Sequence, residues 1–244
     1  MNMKAIVAEY MKLSTPNVSD ALDRLGIEGT PRGILPLYAP CRKIVGPAMT
    51  MRLVPLGGKH TASPVIGTLE AIVAADAGDV LVIDQQGRPD VNSFGGVAGF
   101  TTKHRALAGV VMDGVTRDID EFQGYDLPVY GTGAITQSIR NRCAYAGCGI
   151  DVHLGPCLVR RGDLIMADQN GICIVPREKI KEALKIAIEC KETEDRVVEV
   201  IKRGADPVTA HEKVRYDMMT GTHAAPVAAG AAKAGKAKPK SKKK

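Results

Sequence analysis

The most constraining feature of this chain is an alternation of pattern between residues 78 and 118. Two short, almost wholly apolar runs, 80–84 (VLVID) and 109–113 (GVVMD), flank a stretch of helical character at 97–107 that opens on Gly95-Gly96. Apolar runs this short, bounded by Gly and Asp, read as buried strands. Strand, helix, strand in such quick succession predicts an α/β sandwich.

The rest of the chain extends that reading. Thr15 can cap a first helix, Pro16 suits its first position, Val18, Leu22 and Leu25 share a face, and Gly26 ends it. Residues 41–45 and 48–54 read as two short strands among turns, and Pro64 opens a helix to Ala75. Further strands are expected at 129–130, 150–159, 164–167 and 171–175, followed by a long last helix over about 177–203, stopped by Gly204. Its apolar stripes pass through Glu194, and a carboxylate on a packing face needs a partner or a place at the rim.

Charge looks basic until it is located. Of the net +6, seven lysines lie in residues 221–244, which contain no acid, so removing them leaves the first 220 residues at −1. The expected organisation is one domain over 1–220 and a disordered Lys/Ala-rich tail over 221–244, whose reach to nucleic acid is weak and electrostatic. Aromatics are 4% with no Trp, too few for stacking platforms on single-stranded nucleic acid. No apolar run approaches the ~20 residues of a membrane span, and residues 1–10 carry no secretory core, so a cytoplasmic location is expected. The six cysteines show no zinc spacing and read as buried reduced thiols. The five histidines form no metal pair.

Chemistry concentrates in one segment. A Gly-Gly loop opening a helix leaves backbone N–H groups aimed at one point, which suits an anion. Nearby, the strand 109–113 runs into Gly114-Val115-Thr116-Arg117-Asp118, which places a forked donor and a carboxylate at a strand end. Alone, each part is an ordinary turn or a solvated pair.

Together, the run GGVAGFTTKHRALAGVVMDGVTRD, GDVLVID upstream and GDLIMADQNG downstream resemble the RraA-like family over about residues 14–204. That family includes class II pyruvate aldolases acting on 4-hydroxy-4-methyl-2-oxoglutarate and 4-carboxy-4-hydroxy-2-oxoadipate, and also regulators of ribonuclease activity. The resemblance implies an α/β/β sandwich related to phosphohistidine swivelling domains, assembled as a trimer or a hexamer with sites between subunits. It implies that the amides of Gly95, Gly96, Val97 and Ala98 hold a 2-oxo acid carboxylate, that Arg117 binds the keto oxygen, and that Asp118 holds Mg²⁺ or Mn²⁺. A glutamate of a neighbouring subunit's last helix approaches the metal waters, and Glu194 matches that position, with Glu192 second.

The implied activity is a metal-dependent lyase working through pyruvate enolate: cleavage of a 4-hydroxy-2-oxo acid, decarboxylation of oxaloacetate, or both. Gly96 departs from the aldolase pattern, which carries an acid there, so the base is open and a shift to decarboxylation is one outcome. The alternatives are a non-catalytic regulator binding an RNA-processing enzyme, and lyase or hydratase chemistry on a sugar acid. Asp113 and Asp168 are expected to serve turns and strand ends.

Overall fold

The computed structural model describes residues 2–214. The tail 221–244 lies outside the described residues. In chain order the elements are α1 (Met3–Tyr10), α2 (Thr15–Arg24), β1 (Leu35–Pro36), β2 (Ile44–Pro55), α3 (Pro64–Val73), β3 (Val80–Asn92), α4 (Gly96–His104) and β4 (Gly109–Thr116). There follow α5 (Ile119–Gly124), β5 (Val129–Gly131), β6 (Gly133–Ala134), β7 (Cys143–Cys148), β8 (Val152–Leu154), β9 (Cys157–Val159), β10 (Leu164–Asp168) and β11 (Gly171–Val175). Helices α6 (Ile180–Lys202) and α7 (Pro207–Val214) close the described chain.

One mixed sheet runs in the order β1-β5-β4-β3-β2-β10-β11, with β6 added on β4 and β7 on β2; β8 and β9 form a separate hairpin. The side chains of the central strands sort by parity, as the period of two demands. On β3, Val80 and Val82 face one core cluster while Leu81 and Ile83 face another. The first of these clusters is shared: Val111 of β4, Ile165 and Ala167 of β10, Ile172 and Ile174 of β11, and Val152 and Val159 of the hairpin all enter it. The sheet therefore curls around a common interior, capped by the β8–β9 hairpin. Helices cover it outside, α3 to α5 over β2–β4, and α1, α2 and α6 over β10–β11. This is a mixed α/β fold with a nearly closed sheet, in keeping with the expected α/β/β class.

Several local expectations are corrected. Residues 41–45 and 48–54 are not two strands: β2 is continuous, because it changes neighbour instead of breaking at Pro47. Residues 44–47 pair antiparallel with β10, and 48–52 pair parallel with β3. The single strand foreseen at 150–159 is a hairpin, turned at Gly155, whose φ of +56° is one that glycine adopts without strain. Ser14, not Thr15, caps α2, since Ser14 and Asn17 cap reciprocally while the Thr15 hydroxyl turns to Asp168. The last helix stops at Lys202 near the foreseen Gly204, but α7 follows it.

Among the described residues no helix is long and apolar enough to cross a membrane. All six cysteines are free, five of them buried. Burial and then the nearby Asp168 charge push the Cys173 thiol up to about 12, so it sits in the fold as a small apolar group.

Candidate active site

The site forms where two consecutive strand-to-helix turns are stitched together. Ser93 N–H donates to Val115 O (2.8 Å), and the Thr116 hydroxyl donates to Phe94 O (2.6 Å). Beneath them the Phe94 and Phe122 rings pack 5.5 Å apart. The loop entering α4 and the turn leaving β4 thus move as one piece, and a cleft of about 330 Å³ opens beside them. Gly95 to Ala98, Arg117, Asp118, Glu121 and Asn92 line it, with α3 residues Pro64 to Leu69 as the opposite wall and Arg140 at its edge.

Asp118 takes left-handed backbone angles (φ 63°, ψ 36°) between β4 and α5. Asp tolerates that region better than most residues. The turn brings Asp118 Oδ2 to 2.8 Å from the Gly96 amide, which donates to it. No hydrogen bond reaches Oδ1 from a described residue. Helix α4 has no side-chain cap, so with Gly96 engaged by Asp118 the next two first-turn amides, of Val97 and Ala98, have no intrahelical acceptor. The loop is close-fitting: a side chain on Gly95 would begin 3.0 Å from Asp118 Oδ2 and 3.6 Å from Arg117 Nε.

Arg117 pairs with Asp118 by charge alone. Its Nε lies 3.4 Å from Asp118 Oδ2, an ion pair without hydrogen-bond geometry. That Nε is buried with no hydrogen-bond partner, and Asn92 Oδ1, on a side chain only 3% exposed, is in the same condition. Buried donors and acceptors are rarely left unmet in folded proteins, and these two belong to residues that line the same cleft.

The structure brings Gly95, Gly96, Val97, Ala98, Arg117 and Asp118 together as the sequence foresaw. It does not bring Glu194 to them within one chain. Glu194 lies on the α2–α6 contact, where the Asn17 side-chain amide donates to it at 2.7 Å. Burial, then the Glu194 charge, raises the carboxyl of neighbouring Asp20. Asp113 and Asp168 serve structure as read: Asp113 accepts from the Gly155 amide, and Asp168 from Thr15 and Asn170. Sequence reasoning missed Asn92, Glu121 and Arg140. For Glu121 a signal was present, the acidic run Asp118-Ile-Asp120-Glu121 directly after Arg117.

A helix N-terminus, an arginine and a carboxylate gathered at the ends of parallel strands make this an α/β protein whose cleft has the chemistry to take an oxyanion. The family model described as Aldolase/RraA, RraA-like, matches residues 15–174. The chain belongs to that family. It is similar to protein DlpA of Legionella pneumophila, 29% identical over 88% of this chain, although the chain spans only 34% of the length of that relative. A Halalkalibacterium halodurans protein named provisionally as a 4-hydroxy-4-methyl-2-oxoglutarate aldolase is 28% identical, over 74% of this chain and 81% of that one. The crystal structure of Streptomyces coelicolor RraAS2, described as an unusual member of the RNase ES inhibitor RraA protein family, superposes with a TM-score of 0.71. The match spans 82% of this chain and 96% of that one at 24% identity, a likeness of fold.

Proposed function

We propose that this chain is a divalent-metal-dependent carbon–carbon lyase that works through pyruvate enolate, cleaving a 4-hydroxy-2-oxo acid of the 4-hydroxy-4-methyl-2-oxoglutarate type, decarboxylating oxaloacetate, or both. The observation that carries the reading is Arg117: its guanidinium lines the cleft, ion-paired with Asp118, and its Nε is buried without a hydrogen bond.

In this reading the Val97 and Ala98 amides, with the Gly95-Gly96 loop, take the substrate carboxylate. Arg117 takes the keto oxygen. Breaking the bond to C3 sends its electron pair toward that oxygen, and a donor already aimed there lowers the barrier without reorganising. Loss of one such donor costs about 10²–10³ in rate.

The residues fit a hard cation. Asp118 Oδ1 is an oxygen acceptor that no described residue uses, and no nitrogen or sulfur ligand lines the cleft. Among the described residues no group of three or more His, Cys, Asp or Glu is placed to hold a metal. The ion would therefore rest on Asp118, waters and substrate oxygens, as suits Mg²⁺ or Mn²⁺. When bound, it supplies Lewis-acid stabilisation of the same developing charge.

Glu194 enters this chemistry only from another copy of the chain, in a trimer or hexamer. Ile66, Val73, Val97 and Phe100, exposed on α3 and α4 near the cleft, support such an assembly. Its free cysteines suit work in the reducing cytoplasm. The alternative, a non-catalytic regulator of an RNA-processing enzyme, has no need of a cleft in which an arginine and a carboxylate pair without a hydrogen bond.

The test is pyruvate release from oxaloacetate and from 4-hydroxy-4-methyl-2-oxoglutarate, with Mg²⁺ and with EDTA. Turnover of at least one substrate, lost in EDTA, is the expected result; turnover of neither by the assembled protein contradicts the reading.

A further inference from the structure

The cleft holds a second carboxylate, which lies over Gly96. A Cβ built on Gly96 would overlap the Glu121 carboxylate, so Glu121 occupies the room that any side chain at 96 would need. Gly96 is buried beneath it, although Glu121 itself reaches the solvent side of the cleft. The backbone of α5 makes this possible. Glu121 N–H donates to Asp118 O at 3.1 Å, which sets the first turn, and one turn later the Tyr125 hydroxyl donates to Glu121 Oε2 at 2.9 Å. That hydrogen bond, ahead of burial, raises the Tyr125 hydroxyl above its ordinary value.

Among the described residues Glu121 forms no ion pair, and Tyr125 holds only one of its two oxygens. The Glu121 oxygen left open and the Arg117 guanidinium line one cleft, a pair that suits a ligand bringing a hydroxyl hydrogen as well as a keto oxygen.

Resting on the lyase reading above, we infer that Glu121 is the catalytic carboxylate that recognises the substrate hydroxyl and takes its proton. As the C3–C4 bond breaks, the C4 hydroxyl proton passes to Glu121 and C4–O becomes a carbonyl. The C3–C4 electron pair forms the enolate, with its charge on the oxygen held by Arg117. The proton then returns through water to C3 and yields pyruvate, so no further reactant is needed. Decarboxylation of oxaloacetate presents no such hydroxyl and makes less use of Glu121. The substrate class that follows is a 2-oxo acid bearing a hydroxyl on C4.

The experiment compares Glu121→Gln, Glu121→Ala and the double exchange Gly96→Asp with Glu121→Ala on both substrates, after melting curves establish that each is folded. Losing a positioned proton acceptor should slow cleavage of 4-hydroxy-4-methyl-2-oxoglutarate by about 10²–10⁴-fold. Oxaloacetate turnover should fall by a factor at least about ten times smaller than that loss. Moving the carboxylate to position 96 should recover at least about tenfold over Glu121→Ala, since it returns an acid to the same space. Equal losses on the two substrates, or cleavage within about threefold of wild type in Glu121→Gln, overturn the role of Glu121 while leaving the lyase reading in place. A wild-type protein that turns over neither substrate overturns both.

Discussion

Asp168 ends strand β10 and Asp118 lies just past the end of β4 in the same sheet, and their surroundings are opposite. Asp168 is closed off: Thr15 donates through both its amide (2.8 Å) and its hydroxyl (2.7 Å), and Asn170 through its amide (2.9 Å) and side chain (3.1 Å). Burial works against its charge, but the Thr15 and Asn170 hydrogen bonds outweigh it and hold the carboxyl below the usual range. Asp118 has one amide, from Gly96, and an arginine that makes no hydrogen bond to it. A carboxylate that the fold has fully satisfied ties elements together. One left with an open oxygen beside an unmet donor is ready for something that arrives from solution.

The comparison can be broken most severely at Arg117. Arg117→Ala should lower kcat/KM by about 10²–10³, equivalent to about 2.7–4 kcal/mol of transition-state free energy, with little change in melting temperature. A variant with near wild-type kinetics would remove the oxyanion role. The opposite division is expected at the other carboxylate. Asp168→Ala leaves the Thr15 amide and hydroxyl unmet at the start of α2, and should cost about 2–4 kcal/mol in urea unfolding while the folded fraction keeps its turnover. Equal turnover loss per folded molecule would contradict the separation.

Acid sharpens the same contrast. A depressed carboxyl adds stability that is whole above its unfolded value, near ~3.9, and is lost as pH falls through the lower folded value. Asp168→Asn should therefore show a shallower loss of stability below about pH 4 than wild type. An unchanged slope by circular dichroism would mean that the hydrogen bonds do not favour the charged form. Smallest of all, iodoacetamide at about pH 8 should label Cys148, the half-buried cysteine, well before buried Cys173, because only accessible thiolate reacts. Labelling of Cys173 at a similar rate, read by mass spectrometry, would show that the β11 region opens.

Much of this was legible in the residues. The runs 80–84 and 109–113 read as buried strands, as they are, and the structure pairs them in parallel, residue for residue from Val80↔Gly109 to Asp84↔Asp113. The Gly95-Gly96 loop and Arg117-Asp118 could be named because short-range chemistry at a strand end depends on neighbours in sequence. What could not be read was set by distant partners. Pro47 looks like a strand end until β10 is seen to take over its pairing. Glu194 looked catalytic or packed with equal reason, and its Asn17 partner is 177 residues away. Glu121 stayed hidden because its meaning lies in the space above Gly96, which no spacing rule describes.

The most direct test of the contrast sets Asp118→Ala beside Asp168→Ala in one assay of Mg²⁺-dependent pyruvate release from oxaloacetate and 4-hydroxy-4-methyl-2-oxoglutarate, with melting curves on the same samples. The account predicts that Asp118→Ala melts like wild type and loses metal-dependent turnover of both substrates, while Asp168→Ala melts lower and turns over normally where folded. Full metal-dependent turnover by a folded Asp118→Ala protein would contradict it.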